Sequence, residues 1–118
     1  MAAKDELGKR GEQFAADYLG GKGFTVIDRN WRCPTGEIDL VATSGSELVF
    51  VEVKTRSSVA YGHPFEAITV HKLARLRKLA GAWCEAHPDT RSPIRIDVVG
   101  VIAPVGGDVE IEHLERVF

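Results

Sequence analysis

The sequence predicts an α/β protein in which a central, mixed five-stranded sheet is flanked by helices. Residues 4–19 and 70–86 have helical periodicity, and five further segments are rich in the β-branched and apolar residues typical of strands. The chain order is a helix, three strands, a helix and two strands. Short turns make the first three strands antiparallel, and the helix between the third and fourth strands allows those two to pair in parallel.

Length and composition predict one soluble domain spanning residues 1–118. Hydrophobic residues make up 44% and charged residues 27% of the chain, which is ordinary for a globular protein. No apolar run approaches the roughly 20 residues that span a membrane. The charged N-terminus has no apolar signal region, so we expect a cytoplasmic protein without a membrane partner. Two separated cysteines and four scattered histidines show no metal-type spacing, and a zinc site is not expected.

The first predicted helix has an apolar stripe that contains glycine. Gly8 and Gly11 each cost about 1 kcal/mol relative to alanine in a helix, which indicates that another segment approaches the backbone closely there. Glu12 lies at the edge of the stripe. The residue pattern leaves open whether its carboxylate is solvated or belongs to a site. Gly20–Gly23 is typical of a helix end and turn.

Residues 24–31 predict the first strand, and a turn follows at residues 33–36. Trp31 is expected in the core. Arg29 and Arg32 either contact phosphates or pair with surface acids, and the sequence leaves both interpretations open.

The strongest pattern lies in the hairpin formed by residues 36–42 and 48–54. Gly45-Ser46 fits a two-residue type II′ turn, which places Ser44 opposite Glu47. The same register sets Asp39 opposite Glu52 and Glu37 opposite Lys54, with facing Cβ atoms about 4.5–5.5 Å apart. These four charged residues are then expected to share one face. The other face is expected to carry the apolar residues Val49, Val51, Val53, Ile38, Leu40 and Ala42.

Two carboxylates this close are tolerated if a cation lies between them or if one stays protonated. Hard divalent cations such as Mg²⁺ and Mn²⁺ prefer oxygen ligands, and such a cation can assist phosphodiester hydrolysis. Lys54 could orient a water or stabilise developing charge. The alternative is a set of cross-strand salt bridges on a solvated sheet face.

An acidic strand residue followed, after a turn, by Glu-Val-Lys resembles the nuclease signature written PD-(D/E)xK. Five segments, GKRGEQFAADYL, NWRCPTGEIDLVA, LVFVEVKTR, YGHPFEAI and RIDVV, resemble the uncharacterised bacterial YraN-like family. That family is assigned a restriction-endonuclease-like fold and is similar to archaeal Holliday-junction resolvases. Ile38 stands where the signature has proline.

The resemblance implies roles for individual residues. Asp39 and Glu52 would be the primary metal ligands, with the Val53 carbonyl as a third, and Glu12 would bind the metal directly or through water. Lys54 would orient the attacking water, with Glu37 as its partner.

The remaining segments supply candidate contacts for nucleic acid. Arg56 continues the strand beyond Lys54, and the helix at residues 70–86, capped by Thr69, carries Lys72 and Arg75 in a basic first half. These three residues are candidate phosphate contacts, although a basic helix face is often merely solvated. Residues 59–65 are expected to form a loop. Strands at 94–102 and 109–115 complete the chain, and Asp97 is expected to be a hydrogen-bonding structural residue.

The sequence thus predicts a divalent-metal-dependent DNA endonuclease, with branched or damaged DNA as a candidate substrate. The alternative is a non-catalytic nucleic-acid-binding or adaptor domain that retains the fold. A net charge of −2 argues against strong general DNA binding and is compatible with dependence on a protein partner. Junction resolvases act as symmetric dimers, so a homodimer is also open.

Overall fold

A computed structural model of the protein describes residues 3–60 and 62–117, with side chains from residue 6 onward. Tyr61, in the predicted loop, and the first residues of the charged N-terminus lie outside the described part. The elements are listed in chain order: α1 Ala3–Gly21, β1 Thr25–Cys33, β2 Gly36–Ser44, β3 Glu47–Arg56, a 3₁₀ helix Pro64–Ala67, α2 Val70–Ala86, β4 Ile94–Ile102 and β5 Glu110–Leu114. Neither α-helix is long and apolar enough, over the described residues, to span a membrane.

The predicted α/β class and the mixed five-stranded sheet are confirmed. The strand order is β1-β2-β3-β4-β5, with parallel pairing between β3 and β4 and antiparallel pairing elsewhere. Parallel pairing arises because the chain crosses over through α2 before it enters β4. Thr69 caps α2 by accepting a hydrogen bond from the Lys72 N–H at 3.1 Å, as the sequence predicted.

Each helix covers one face of the sheet and so creates its own core. The α1 side buries Ala15, Ala16 and Leu19 against alternate residues of β2, β3 and β4. The α2 side buries Leu76, Leu79, Ala80 and Trp83 against the other set, including Phe50 and Ile96. Because both faces are covered, the central strands are almost continuously apolar, and their few charged residues are confined to particular places.

The predicted hairpin register is confirmed from Ser44–Glu47 to Leu40–Val51. Gly45 has φ +59 and Ser46 is not among the residues with positive φ, as a type II′ turn requires. The backbone pairing does not continue to Asp39 and Glu52 in the described ladder. Asp39 Oδ2 instead accepts a hydrogen bond from the Val53 N–H at 2.8 Å.

The predicted division of the hairpin into one polar and one apolar face is wrong in part. Five of the six predicted apolar residues lie on the α1 side, but Ile38 belongs to the α2 core. Ile38 and Leu40 are two residues apart and yet face opposite cores, so β2 is irregular at Asp39. Asn30, which faces Asp39 on β1, has a left-handed backbone with φ +50, and this local distortion accompanies the irregularity.

The segment predicted as a loop at residues 59–65 ends in the 3₁₀ helix. His63 caps this helix by accepting from the Phe65 N–H at 3.1 Å, and the Glu66 side chain accepts from the His63 N–H. The Phe65 ring packs on Gly100 of β4, where a Cβ atom would lie 2.8 Å from the ring. Side-chain capping and this packing make the end of the segment a structured connector.

Candidate functional site

The site lies where β2 and β3 separate. Since the Asp39 carboxylate accepts a hydrogen bond from the Val53 N–H, the acid is held between the two strands at the end of their ladder. Glu52 precedes Val53, and its side chain points to the α2 side because Val51 and Val53 both lie in the α1 core. Its carboxylate lies against that of Asp39.

Glu12 reaches Asp39 from α1. The preceding Gly11 is buried, and a Cβ atom there would lie 1.8 Å from Thr55 Oγ1, so the helix backbone rests directly on β3. The suspicion that a glycine in this helix marks a close approach is confirmed for Gly11. It is wrong for Gly8, where a Cβ atom would meet nothing within 4 Å.

Asn30 holds the Glu12 side chain in place. Its Nδ2 donates to Glu12 Oε1 at 2.8 Å, from the left-handed backbone position opposite Asp39. Sequence reasoning missed this residue. An asparagine inside a strand was the available signal, because asparagine tolerates positive φ better than most residues.

Four carboxylates therefore meet, and we call Glu12, Glu37, Asp39 and Glu52 the acidic cluster. Oxygen atoms of Glu12, Glu37 and Asp39 lie within 4.8 Å of one another, and Glu52 adjoins Asp39. The hairpin pattern predicted that Glu37, Asp39 and Glu52 lie together, and the resemblance to the nucleases implied that Glu12 joins them. An all-carboxylate donor set is the kind that hard divalent cations prefer.

Burial and mutual repulsion shift the pKa values of carboxylates in the acidic cluster. Burial, together with the adjacent Glu52 carboxylate, raises the pKa of Asp39 to about 8. Burial also raises the pKa of Glu12, with Asp39 and Glu37 adding to the rise and the hydrogen bond from Asn30 opposing it. Negative charge is thus disfavoured at the centre of the acidic cluster, and a cation there would relieve the repulsion.

Lys54 and its predicted partner Glu37 line different pockets. Lys54 lines a small pocket of about 180 Å³ together with Glu12, Val53, Gly8, Leu7 and Thr55. Glu37 forms its described ion pair with Arg32 of β1, whose Nε lies 2.6 Å from the carboxylate. The predicted pairing of Glu37 with Lys54 is therefore wrong, because β2 and β3 diverge before their ladder reaches these residues.

A second pocket, of about 270 Å³, opens on the α2 side of the acidic cluster. Glu37, Glu52, Lys72 and Arg75 line it, above Leu76 and Leu79. Two of the three predicted phosphate contacts thus lie beside two of the carboxylates. Arg56 lines neither of these two pockets, and its Nε is buried without a hydrogen-bond partner among the described residues.

Another charged cluster is centred on Asp97, which is fully buried. Arg95 donates to both Asp97 oxygens at 3.1 and 3.0 Å, and His113 Nε2 lies 2.7 Å from Oδ2. Arg95 also pairs with Glu47 and Glu115. The expectation that Asp97 is a hydrogen-bonded structural residue is confirmed. Although Asp97, His113 and Glu115 are close enough to hold a metal, the Arg95 guanidinium already supplies the positive charge there.

The fold and the acidic cluster define a small α/β protein with a carboxylate-rich site where two central strands part. A sequence model of the family described as uncharacterised protein family UPF0102 matches residues 11–101. The chain belongs to this family.

Similar proteins occur in several bacteria. A UPF0102 protein of Renibacterium salmoninarum is 58% identical over 114 residues, covering 97% of each chain. A UPF0102 protein of Clavibacter michiganensis subsp. michiganensis is 57% identical over 112 residues, covering 95% of each chain. A more divergent one, from Frankia alni, is 48% identical over 118 residues, covering 100% of this chain and 98% of the other. The match to these proteins therefore extends along essentially the whole length.

Proposed function

We propose that the protein is a divalent-metal-dependent DNA endonuclease that hydrolyses phosphodiester bonds, with branched or damaged DNA as the first substrates to test. One observation carries the proposal: carboxylates from α1, β2 and β3 converge on Asp39, where burial, together with the Glu52 and Glu37 carboxylates, raises the pKa to about 8. A sheet face used only for salt bridges would instead pair each of these acids with a cation. Perturbed titration in a cleft is typical of functional sites.

The acidic cluster fits a divalent cation such as Mg²⁺ or Mn²⁺. Its donors are carboxylate oxygens, the ligands such ions prefer, and Asp39, Glu52 and Glu12 are the residues proposed to hold the ion. The role predicted for the Val53 carbonyl stays a prediction. When bound, the cation would polarise the phosphoryl oxygen and acidify a coordinated water.

The protein's own residues would position the other groups. Asn30 holds Glu12 through its hydrogen bond, and the Val53 N–H holds Asp39. Lys54 shares a pocket with Glu12, where its ammonium could orient water. Lys72 and Arg75 could hold the phosphates of the strand in the pocket on the α2 side.

The resemblance to PD-(D/E)xK nucleases supports this proposal, because Asp39, Glu52 and Lys54 match the acidic and lysine positions of the signature. Glu12 matches the glutamate that the same resemblance implies on the first helix. On the same resemblance, we propose that the fold is related to those of the restriction endonucleases and archaeal junction resolvases. The second candidate is a non-catalytic nucleic-acid-binding or adaptor domain, favoured by the net charge of −2 and by the α2-side pocket with its two basic residues. In that case, the DNA and a protein partner would be bound without cleavage.

The test is cleavage of labelled single-stranded, duplex, flap, fork and four-way-junction DNA in Mg²⁺ or Mn²⁺. We expect wild-type cleavage of at least one substrate, and its loss in Asp39→Asn, Glu52→Gln and Lys54→Ala. Lys22→Ala, in the turn after α1, is the matched control and should cleave normally.

Calorimetric titration with Mn²⁺ separates the alternatives. Metal binding that depends on Asp39 without cleavage of any DNA would favour the adaptor, or an enzyme that needs a partner. If wild type neither binds metal nor cleaves, the nuclease proposal is wrong.

A further inference from the structure

A pocket at the β1–β2 turn lies beside the acidic cluster. It has a volume of about 490 Å³ and is lined by residues 32–37 and Arg75, and we call it the turn pocket. Glu37 and Arg75 also line the pocket that contains Glu52 and Lys72, so the two pockets share walls. The two pockets are therefore adjacent.

Two guanidinium groups dominate the charge of the turn pocket. Arg32 has an 81% exposed side chain and uses Nε to bind Glu37 at 2.6 Å. Arg75 uses Nη2 to bind the Thr35 carbonyl, a neutral group, at 3.0 Å. Each described contact takes one of the five N–H donors that a guanidinium carries. Because one carboxylate faces two arginines, the net charge of this lining is positive.

The Arg75 side chain is held in place by the turn. It crosses from α2 to the Thr35 carbonyl and passes so close to Gly36 that a Cβ atom there would lie 2.7 Å from Nη2. Gly36 has φ +150, which an L side chain rarely adopts. A pre-positioned guanidinium loses little entropy on binding, and its planar fork matches the oxygens of a phosphate.

We propose that the turn pocket is a second phosphate-binding subsite, in which Arg32 and Arg75 hold the nucleic-acid backbone next to the segment at the acidic cluster. The proposal rests on the proposed function, since two adjacent pockets suit a polymer with phosphates in series. A phosphopeptide carries an isolated phosphate and would not need the adjoining carboxylates. Cleavage would then require the strand to occupy both pockets at once.

The experiment measures binding without cleavage. A fluorescein-labelled DNA oligonucleotide of about 16 nucleotides, single-stranded or duplex, is titrated in EDTA and followed by anisotropy over a range of salt. We expect Arg32→Gln and Arg75→Gln each to weaken binding several-fold at low salt. Each should also reduce the slope of log affinity against log salt by about 1. Arg75→Lys should recover part of the loss, because it restores the charge without the fork.

Arg91→Gln, in the exposed loop before β4, removes the same charge elsewhere and should bind like wild type. The proposal is overturned if wild type does not bind either oligonucleotide, if the two turn-pocket variants keep wild-type affinity and slope, or if Arg91→Gln weakens binding equally. Preferential binding of a labelled phosphoserine peptide that Arg32→Gln abolishes would also overturn it.

Failure of the subsite and failure of the nuclease proposal have different signatures. If wild type cleaves DNA and Asp39→Asn does not, while Arg32→Gln and Arg75→Gln bind and cleave normally, the nuclease stands. The subsite is then wrong, and so is the phosphate contact proposed for Arg75 on the α2 side. If no metal supports cleavage but the two arginine variants lose binding and salt slope, the subsite stands and the nuclease is wrong.

Discussion

Exchange of Gly11 for alanine should destabilise the protein, although alanine is the better helix former. A Cβ atom at position 11 would lie 1.8 Å from Thr55 Oγ1 and 2.7 Å from both Thr55 Cβ and Cγ2. Rotation of the threonine cannot relieve the contact with its own Cβ. Carbon atoms pack at about 3.5–4.0 Å, so α1 must move away from β3 by about 1 Å.

Two effects of Gly11→Ala on the free energy of unfolding have opposite signs: the cost of overpacking and the gain in helix propensity. Overpacking a buried contact costs about 1–3 kcal/mol, and this contact is severe enough to place it at the upper end. The gain in helix propensity is about 1 kcal/mol. We therefore expect Gly11→Ala to lower the free energy of unfolding by about 2 kcal/mol. For a domain of this size, that corresponds to a fall in melting temperature of about 8 °C.

Gly8→Ala is the matched control in the same helix. A Cβ atom there meets nothing within 4 Å, so only the propensity gain remains. The variant should be more stable than wild type by about 0.5–1 kcal/mol. Urea unfolding followed by circular dichroism measures both variants, and their difference should be about 3 kcal/mol.

The same displacement should act on the acidic cluster. Glu12 is adjacent to Gly11 and would retreat from Asp39 with the helix, so Gly11→Ala should bind Mn²⁺ more weakly while Gly8→Ala binds normally. Removal of the threonine hydroxyl and methyl in Gly11→Ala/Thr55→Ala should recover part of the lost stability. Equal stabilisation by the two single glycine variants would show that α1 does not rest on β3 as described.

Three other predictions concern titration, positioning and the buried charges. The raised pKa of Asp39 contributes stability at low pH, and this contribution is lost as pH rises from the ordinary range of an aspartate through about 8. The melting temperature of the metal-free wild type should therefore fall over this pH range, whereas that of Asp39→Asn should not. Asn30→Gly retains the positive φ but removes the hydrogen bond to Glu12, and it should weaken Mn²⁺ binding about tenfold without loss of stability. Although burial alone would raise the pKa of Asp97, its hydrogen bonds with His113 and Arg95 lower it overall. Its stabilising contribution should be lost as pH falls below the ordinary range of an aspartate. Asp97→Ala should cost about 3–5 kcal/mol, because it removes the fully buried partner of the Arg95 guanidinium.

Each of these has its own contrary result. Parallel pH profiles for wild type and Asp39→Asn in EDTA would contradict the buried, charge-coupled description of Asp39. Unchanged Mn²⁺ affinity in Asn30→Gly would show that the hydrogen bond from Asn30 does not position Glu12 for metal binding. For the buried cluster, the half-exposed Glu115 is the control: Glu115→Gln should change stability by less than about 1 kcal/mol, and a loss as large as that of Asp97→Ala would contradict the central position of Asp97.

The local elements were predictable from the sequence. The bounds 70–86 and 94–102 agree with α2 and β4, and the N-cap Thr69 and the turn at Gly45-Ser46 are as expected. These features depend on short-range rules: helical periodicity, side-chain capping and the backbone freedom of glycine. Parallel pairing of β3 with β4 followed from chain connectivity.

The site was predictable only as a set of residues. Asp39, Glu52 and Glu12 do meet. The sequence set Asp39 and Glu52 on one regular sheet face with Glu37 and Lys54, and the resemblance to the nucleases added Glu12 from the first helix. In the structure, Asp39 accepts a backbone hydrogen bond and the strands part, which sends Glu37 to Arg32 and Lys54 to the pocket of Glu12. An ideal register carries no information about where a ladder ends.

Tertiary structure alone decided which long-range contacts support those residues. The sequence by itself determined the α/β class, the strand order along the chain and the hairpin acids of the acidic cluster, because these depend on periodicity, turns and spacing. The fourth acid, Glu12, was implied only by the resemblance to the nucleases. It did not determine the contact of Gly11 with Thr55, the hydrogen bond from Asn30 to Glu12 or the reach of Arg75 to the β1–β2 turn. Each joins segments far apart in the chain, and such pairs are selected by how the two helices pack on the sheet rather than by any local preference.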